Sequence, residues 1–84
     1  MTYEAKTVTA TMTPTVMVAA DADVDREIII TNNSGGQPLR VGFNATDGAL
    51  HTSWPFRFVL PADEDLYAWV DTGTTNVGVI ATKL

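Results

Sequence analysis

The feature that most constrains the fold is an alternation of apolar and polar side chains with a period of two. It is clearest in the segments Leu39–Phe43 and Leu66–Val70. Successive side chains of a β-strand point to opposite faces of a sheet, so this alternation is typical of strands that bury one face. Threonine is the commonest residue, at 13 of 84 positions, and its branched side chain favours a pleated surface. No window places apolar residues at helical spacing, and we therefore predict an all-β chain.

The pattern predicts seven strands, separated by turns rich in Gly, Pro, Asn and Asp. The predicted strands are residues 3–12, 15–19, 26–32, 38–44, 56–60, 65–71 and 75–83. Seven short antiparallel strands in 84 residues fit one domain, either a small β-sandwich or a jelly-roll-like barrel. The side chains predicted to point inward are Val16, Val18, Ile28, Ile30, Leu39, Val41, Phe43, Phe56, Phe58, Leu60, Leu66, Val70, Val77 and Val79.

Three parts of the chain carry more specific expectations. Residues 33–36 are predicted to turn, and residues 45–55, which include His51, form the longest stretch predicted as an exposed loop. Gly42 interrupts a strand, which indicates that another segment approaches the backbone closely there. Residues 1–20 are poor in large apolar groups, and we predict that they form either part of the sheet or an extended or exchanged arm. The residues expected to anchor such an arm are Tyr3, Val8 and Met12.

Composition excludes several classes of function. The net charge is -5 and the sequence pI is about 4.4, which argues against nucleic-acid binding, because that needs a basic face. The chain has no cysteine and one histidine, so disulfides, thiolate sites and multi-histidine metal sites are not expected. No apolar run is long enough for a membrane span, and no secretory signal is visible.

Acidic clusters are the main candidates for a metal or catalytic site. The spacing of Asp21, Asp23 and Asp25 resembles the start of a calcium-binding loop. That loop needs Gly and Glu at later positions, where this chain has Arg26 and Asn32. A solvated acidic turn is the preferred interpretation, and a weak cation site is the alternative. No arrangement of acids, serine and His51 predicts catalysis, so the chain is expected to be non-enzymatic, with no metal and no cofactor.

Bulky side chains fall in a loop or on the face opposite the predicted core. They are Trp54, Tyr67, Trp69, Ile29 and Ile80. Three interpretations remain open: these side chains cover the second face of the sandwich, form a subunit interface, or form a platform for carbohydrate. The two isoleucines favour an interface, since sugar stacking does not need aliphatic groups.

The order of turns and apolar positions over about residues 26–82 resembles that of small virion proteins of tailed bacteriophages. The matching pieces are Thr31–Ser34, Val41–Gly42, Leu60–Glu64, Thr72–Thr74 and Val77–Val79, with Ala62 where the third turn usually has Gly. The resemblance implies a structural protein on the capsid or tail surface of the virion, of the capsid decoration (cement), head-fibre or tail-associated class. The most specific expectation is a cement protein that assembles as a homotrimer and stabilises the phage head. Its partner would be the major capsid protein or another virion protein. The alternative is a carbohydrate- or receptor-binding module of the tail or baseplate.

Overall fold

The computed structural model describes residues 3–32 and 37–84, and these residues form eight β-strands. The strands are β1 (Tyr3–Ala10), β2 (Thr15–Val18), β3 (Arg26–Asn32), β4 (Leu39–Gly42), β5 (Ala49–His51), β6 (Phe56–Leu60), β7 (Leu66–Val70) and β8 (Thr75–Lys83). The described part of the chain contains no helix that could cross a membrane. The turn predicted at residues 33–36 lies outside the described residues.

The strands form two four-stranded sheets. The first sheet has the order β1-β8-β3-β6 and the second the order β2-β7-β4-β5, and the strand pairs are antiparallel. The chain folds back on itself as a long two-stranded antiparallel ribbon whose tip is the β4–β5 connection. Along this ribbon the successive strand pairs are β1·β8, β2·β7, β3·β6 and β4·β5. The contacts β3·β8 and β4·β7 close the rolled ribbon into two facing layers. This arrangement is a jelly roll, and the predicted fold class is confirmed.

The strand absent from the prediction is β5, which lies within the stretch expected to be a loop. It has three residues, and it pairs with β4 through Leu39↔His51, Arg40↔Leu50 and Val41↔Ala49. Its residues are exposed or half-buried, so the short segment lacks the apolar alternation that marks the other strands.

The core lies between the two sheets and largely follows the predicted inward positions. The buried apolar side chains are Ala10, Met17, Val18, Ile28, Ile30, Leu39, Val41, Leu60, Leu66, Ala68, Val70, Val77 and Val79. Phe56 and Phe58 are half-buried and pack against this cluster. Ile28 and Ile30 point inward from β3, which lies between β8 and β6, and Ile29 is half-exposed on the outer face.

Two inward predictions are wrong, Val16 and Phe43, which are 41% and 46% exposed. The pairing of β2 with β7 shifts register between Val16 and Val18, so Met17 and Val18 are both buried. Such a bulge breaks the two-residue alternation on which the prediction depended. Phe43 follows the last residue of β4 and therefore belongs to the connection rather than to the sheet.

The N-terminal strand pairs with its own chain along its whole length, from Tyr3↔Thr82 to Ala10↔Thr75. Its inward-facing side chains change from buried Ala10 through half-buried Val8 to exposed Lys6 and Glu4. The second sheet therefore does not cover the first half of β1, and the sandwich is open at this end. Exchange of residues 1–20 between chains stays a prediction.

Candidate functional site

A groove of about 650 Å³ occupies the open end of the sandwich, and we call it the open-end groove. One wall is the uncovered inner face of the first sheet, with Lys6 on β1, Lys83 on β8 and Arg26 on β3. The other wall is the β2–β3 connection, which begins after Val18. The volume is in the usual range for small-molecule sites, about 300–1,000 Å³.

Positive charge is concentrated in the open-end groove. The protein has five Lys and Arg residues against ten Asp and Glu residues. Three of these five cations line the groove, whereas the lining includes only two carboxylates, Glu4 and Asp21. An acidic protein therefore carries one local surface at which cations outnumber acids.

Arg26 is the most unusual side chain in the groove. It is the first residue of β3, points inward in phase with Ile28 and Ile30, and is only 8% exposed. Its Nε and Nη2 atoms are buried and have no hydrogen-bond partner among the described residues. Leaving buried donors of a charged group without partners is unfavourable, so an anion that accepted hydrogen bonds from these two nitrogens would be stabilised.

Arg40 shows what the same two nitrogens do when a carboxylate is available. Its Nε donates to Oδ1 of Asp71 at 2.7 Å, and its Nη2 donates to Oδ2 at 3.0 Å. Its Nη1 donates to the carbonyl oxygen of Gly48 at 3.2 Å. Hydrogen bonding to Arg40 lowers the pKa of Asp71, and the guanidinium charge lowers it further. In Arg40, Nε and Nη2 together hold both oxygens of a carboxylate. In Arg26, the same two nitrogens lack a partner among the described residues.

The other charged side chains of the groove are already paired. Lys83 Nζ lies 3.7 Å from Oδ2 of Asp21, and Lys6 Nζ lies 3.8 Å from Oε1 of Glu4. The backbone N–H of Asp23, which donates to Asp21 Oδ1, is the largest influence lowering the pKa of Asp21, and the charge of Lys83 adds to it. Arg26 also lowers the pKa of Asp21 through its charge, but it forms no ion pair within 4 Å in the described ranges.

The acidic segment Asp21–Asp25, whose spacing resembles a calcium loop, is hydrogen-bonded to the turn between β6 and β7. The backbone N–H of Ala62 donates to Oδ1 of Asp25 at 2.8 Å, and that of Asp63 donates to the carbonyl oxygen of Asp21 at 2.9 Å. From the other side, Ala20 N–H donates to Oδ1 of Asp65 at 2.7 Å. These bonds tie the loop wall of the groove to the β6–β7 turn. Residues 3–32 and 37–84 contain no group of three or more His, Cys, Asp or Glu side chains that could hold a metal ion.

The structure distributes the predicted interface residues over different surfaces. Ile29 and Ile80 are directly paired and lie on the outer face of the first sheet. Tyr67 and Trp69 lie on the outer face of the second sheet. Trp54 is half-buried and packs against the core. The five residues therefore do not form one continuous surface.

The residues predicted for the N-terminal arm and for the exposed loop also lie in different environments. Tyr3 lines the open-end groove, Val8 packs against the core, and Met12 is exposed beyond the end of β1. His51, expected in an exposed loop, is half-buried in β5 with its ring centroid 3.9 Å from that of Phe56.

The sequence interpretation missed Arg26, although a signal was present. Arg26 lies two and four residues before Ile28 and Ile30, which were predicted to be buried, so its side chain is expected on the same face of the strand. A charged residue in phase with buried positions is uncommon, because Arg is rarely buried unless it has a partner, and it therefore indicates a buried partner or a ligand site.

No model of a protein family matches the chain, and neither does any curated protein. Among solved structures, the chain is similar to a cupin-2 domain containing protein from Shewanella frigidimarina NCIMB 400. The two are 16% identical with a TM-score of 0.59, and the match covers 95% of this chain and 70% of that chain. At this level of identity the likeness concerns the fold.

The function predicted from the sequence is wrong. The protein found to share the fold is a cupin-2 domain protein, and nothing in the comparisons indicates a phage virion protein. Capsid decoration and its alternative, a carbohydrate- or receptor-binding tail module, are therefore both set aside. The resemblance to virion proteins, the homotrimer, the capsid partner and the virion location stay predictions.

Proposed function

We propose that the protein binds a small organic anion in the open-end groove and that Arg26 anchors this ligand. The observation that carries the proposal is the buried guanidinium of Arg26, whose Nε and Nη2 have no partner among the described residues. A bidentate anion provides two charge-assisted hydrogen bonds, which are roughly twice as strong as neutral ones. Binding would thereby offset the unfavourable burial of the charge.

The ligand reaches Arg26 through a change of side-chain orientation. Its Nε and Nη2 are shielded from solvent, so the guanidinium must turn its fork toward the groove. This movement breaks no hydrogen bond of those two nitrogens with any described residue. Lys83 and Lys6 line the same groove and attract an anion as it approaches.

The proposal is for a binding protein and assigns no reaction to the groove. The two carboxylates of the groove, Glu4 and Asp21, each lie within 4 Å of a lysine ammonium group. Paired carboxylates of this kind hold the walls of the site together, and neither is proposed as a general acid or base.

The proposal is tested by ligand-dependent stability. Urea unfolding of the wild-type protein is measured in sodium acetate, sodium hexanoate and sodium phosphate, each against sodium chloride of equal ionic strength. A ligand at about 100 times its Kd adds about 2.7 kcal/mol to the free energy of unfolding. We expect at least one of the three anions to raise this free energy above the chloride reference.

The matched variants are Arg26→Met and Arg57→Met. Arg57 is exposed and lies on the outer face of the first sheet, opposite Ile29. We expect Arg26→Met to abolish the stabilisation by the anion and Arg57→Met to retain it. Without ligand, the unfolding free energy of Arg26→Met should equal the wild-type value or exceed it by up to about 3 kcal/mol, since an unpaired buried charge is removed. Equal stabilisation of wild type and Arg26→Met, or no stabilisation of wild type by any of the anions, would refute the proposal.

A further inference from the structure

We infer that the ligand of the open-end groove is a monocarboxylic acid with an apolar body, an inference that rests on the proposed binding function. Three properties of the groove support this class of ligand. They are its residual charge, the geometry of its free hydrogen-bond donors and the composition of its loop wall.

The residual charge of the groove matches one negative charge. Lys6 and Lys83 lie beside Glu4 and Asp21, and the charge of Arg26 also acts on Asp21, so three cations against two carboxylates leave one net positive charge. A monocarboxylate neutralises this charge. A dianion would place a second negative charge in a site that already contains two carboxylates, where like charges repel.

The free donors have the geometry of a carboxylate site. Nε and Nη2 form one edge of the planar guanidinium, and two parallel N–H bonds from this edge match two carboxylate oxygens. The pair Arg40–Asp71 shows this arrangement within the same molecule, at 2.7 and 3.0 Å.

The wall facing the cations is built of small apolar side chains, with Asp21 as its one charged member. Its side chains in the β2–β3 connection include Ala19, Ala20 and Ala22, and Val18 and Ala81 extend the apolar lining. The three connection alanines are exposed, so a ligand body that covers them removes apolar surface from water. Alanine loses no rotamer freedom on contact, so this wall holds an alkyl or aryl group without an entropic cost of its own.

Affinity for a matched set of probes tests the inference. Isothermal titration calorimetry on the wild-type protein gives Kd for hexanoate, acetate, phosphate and the neutral hexanamide. Each methylene buried against the wall adds up to about fourfold in affinity. We expect hexanoate to bind at least about tenfold more tightly than acetate, phosphate or hexanamide.

The outcomes separate this inference from the proposed function. Equal affinities for hexanoate and acetate, or tighter binding of phosphate, would overturn the inference and leave anion binding in place. Equal affinities for hexanoate and hexanamide would show that charge is not recognised and would overturn both. Binding of none of the anions would also overturn both.

The wall itself is tested by the double variant Ala19→Ser/Ala22→Ser, with Ala45→Ser in the β4–β5 connection, which does not line the groove, as a control. All three alanines are exposed, and such surface changes usually leave folding intact. We expect the double variant to lose about threefold or more in hexanoate affinity with acetate affinity unchanged, and the control to match wild type. An unchanged ratio of hexanoate to acetate affinity in the double variant would contradict the role of this wall.

Discussion

Two arginines of this protein differ in whether their Nε and Nη2 atoms have hydrogen-bond partners. Arg40 lies on the outer face of the second sheet and gives Nε and Nη2 to the two oxygens of Asp71. Arg26 lies on the inner face of the first sheet, and the same two nitrogens have no partner among the described residues. The contrast explains why we regard Arg40 as part of the scaffold and Arg26 as part of the binding site.

The Arg40–Asp71 pair predicts a specific loss of stability in acid. Because Arg40 holds the folded-state pKa of Asp71 below its ordinary value of 3.8, the pair stabilises the fold fully above that pH. The stabilisation is lost as pH falls through the lowered pKa. We expect Arg40→Met to be less stable than wild type from pH 7 down to about pH 4, and the two curves to converge toward pH 2.

Urea unfolding at a series of pH values between 7 and 2 checks this expectation. Arg57→Met serves as the control, because Arg57 has no ion pair with any residue in the described ranges. Its curve should run parallel to that of wild type throughout. A constant difference between Arg40→Met and wild type down to pH 2 would contradict the assigned role of the pair.

At the level of strands, the apolar alternation predicted those elements whose faces differ in burial. β4 and β7 follow the alternation without interruption, with Leu39 and Val41 buried in one and Leu66, Ala68 and Val70 buried in the other. The bulge in β2 could not be predicted in this way, since it depends on how β2 pairs with β7 and not on its own residues. β5 was missed because a strand of three mostly exposed residues leaves no periodic pattern.

The β4–β5 connection returns across β4, and this confirms the close approach expected at Gly42. A Cβ atom at Gly42 would collide with the backbone carbonyl oxygen of Asp47. Gly73 differs, because its φ of 68° favours glycine while a Cβ atom there would have space around it, with Nε2 of Gln37 nearest at 4.0 Å.

Substitutions at these glycines should therefore behave differently. We expect Gly42→Ala and Gly42→Asn each to lower the free energy of unfolding by at least about 2 kcal/mol, since backbone must move. Gly73→Ala should cost about 1–2 kcal/mol, and Gly73→Asn should recover part of that loss because Asn tolerates positive φ. Chemical denaturation of the four variants measures these differences. Stability of Gly42→Ala equal to wild type would show that the connection does not hold this position.

For the whole molecule, the sequence predicted the fold class but could not predict the open-end groove. The groove exists because β1 continues past the second sheet, so that Lys6 and Glu4 remain exposed on an inward-facing side. This arrangement depends on the relative lengths of strands that lie in different sheets and far apart in sequence. Periodicity within one strand carries no information about it. The phase of Arg26 with Ile28 is a signal of a buried charge, but it was missed in the sequence.

Arg26, whose buried Nε and Nη2 have no partner among the described residues, is the proposed anchor for the anion. The most direct test is a two-dimensional ¹H–¹⁵N spectrum of the arginine side chains during a titration with sodium hexanoate. The three arginines, Arg26, Arg40 and Arg57, are assigned by substituting each in turn. We predict that the Nε–H resonance of Arg26 shifts and saturates, while those of Arg40 and Arg57 stay as they are in sodium chloride of equal ionic strength. An Arg26 resonance that does not move, or three resonances that drift together without saturation, would contradict the account.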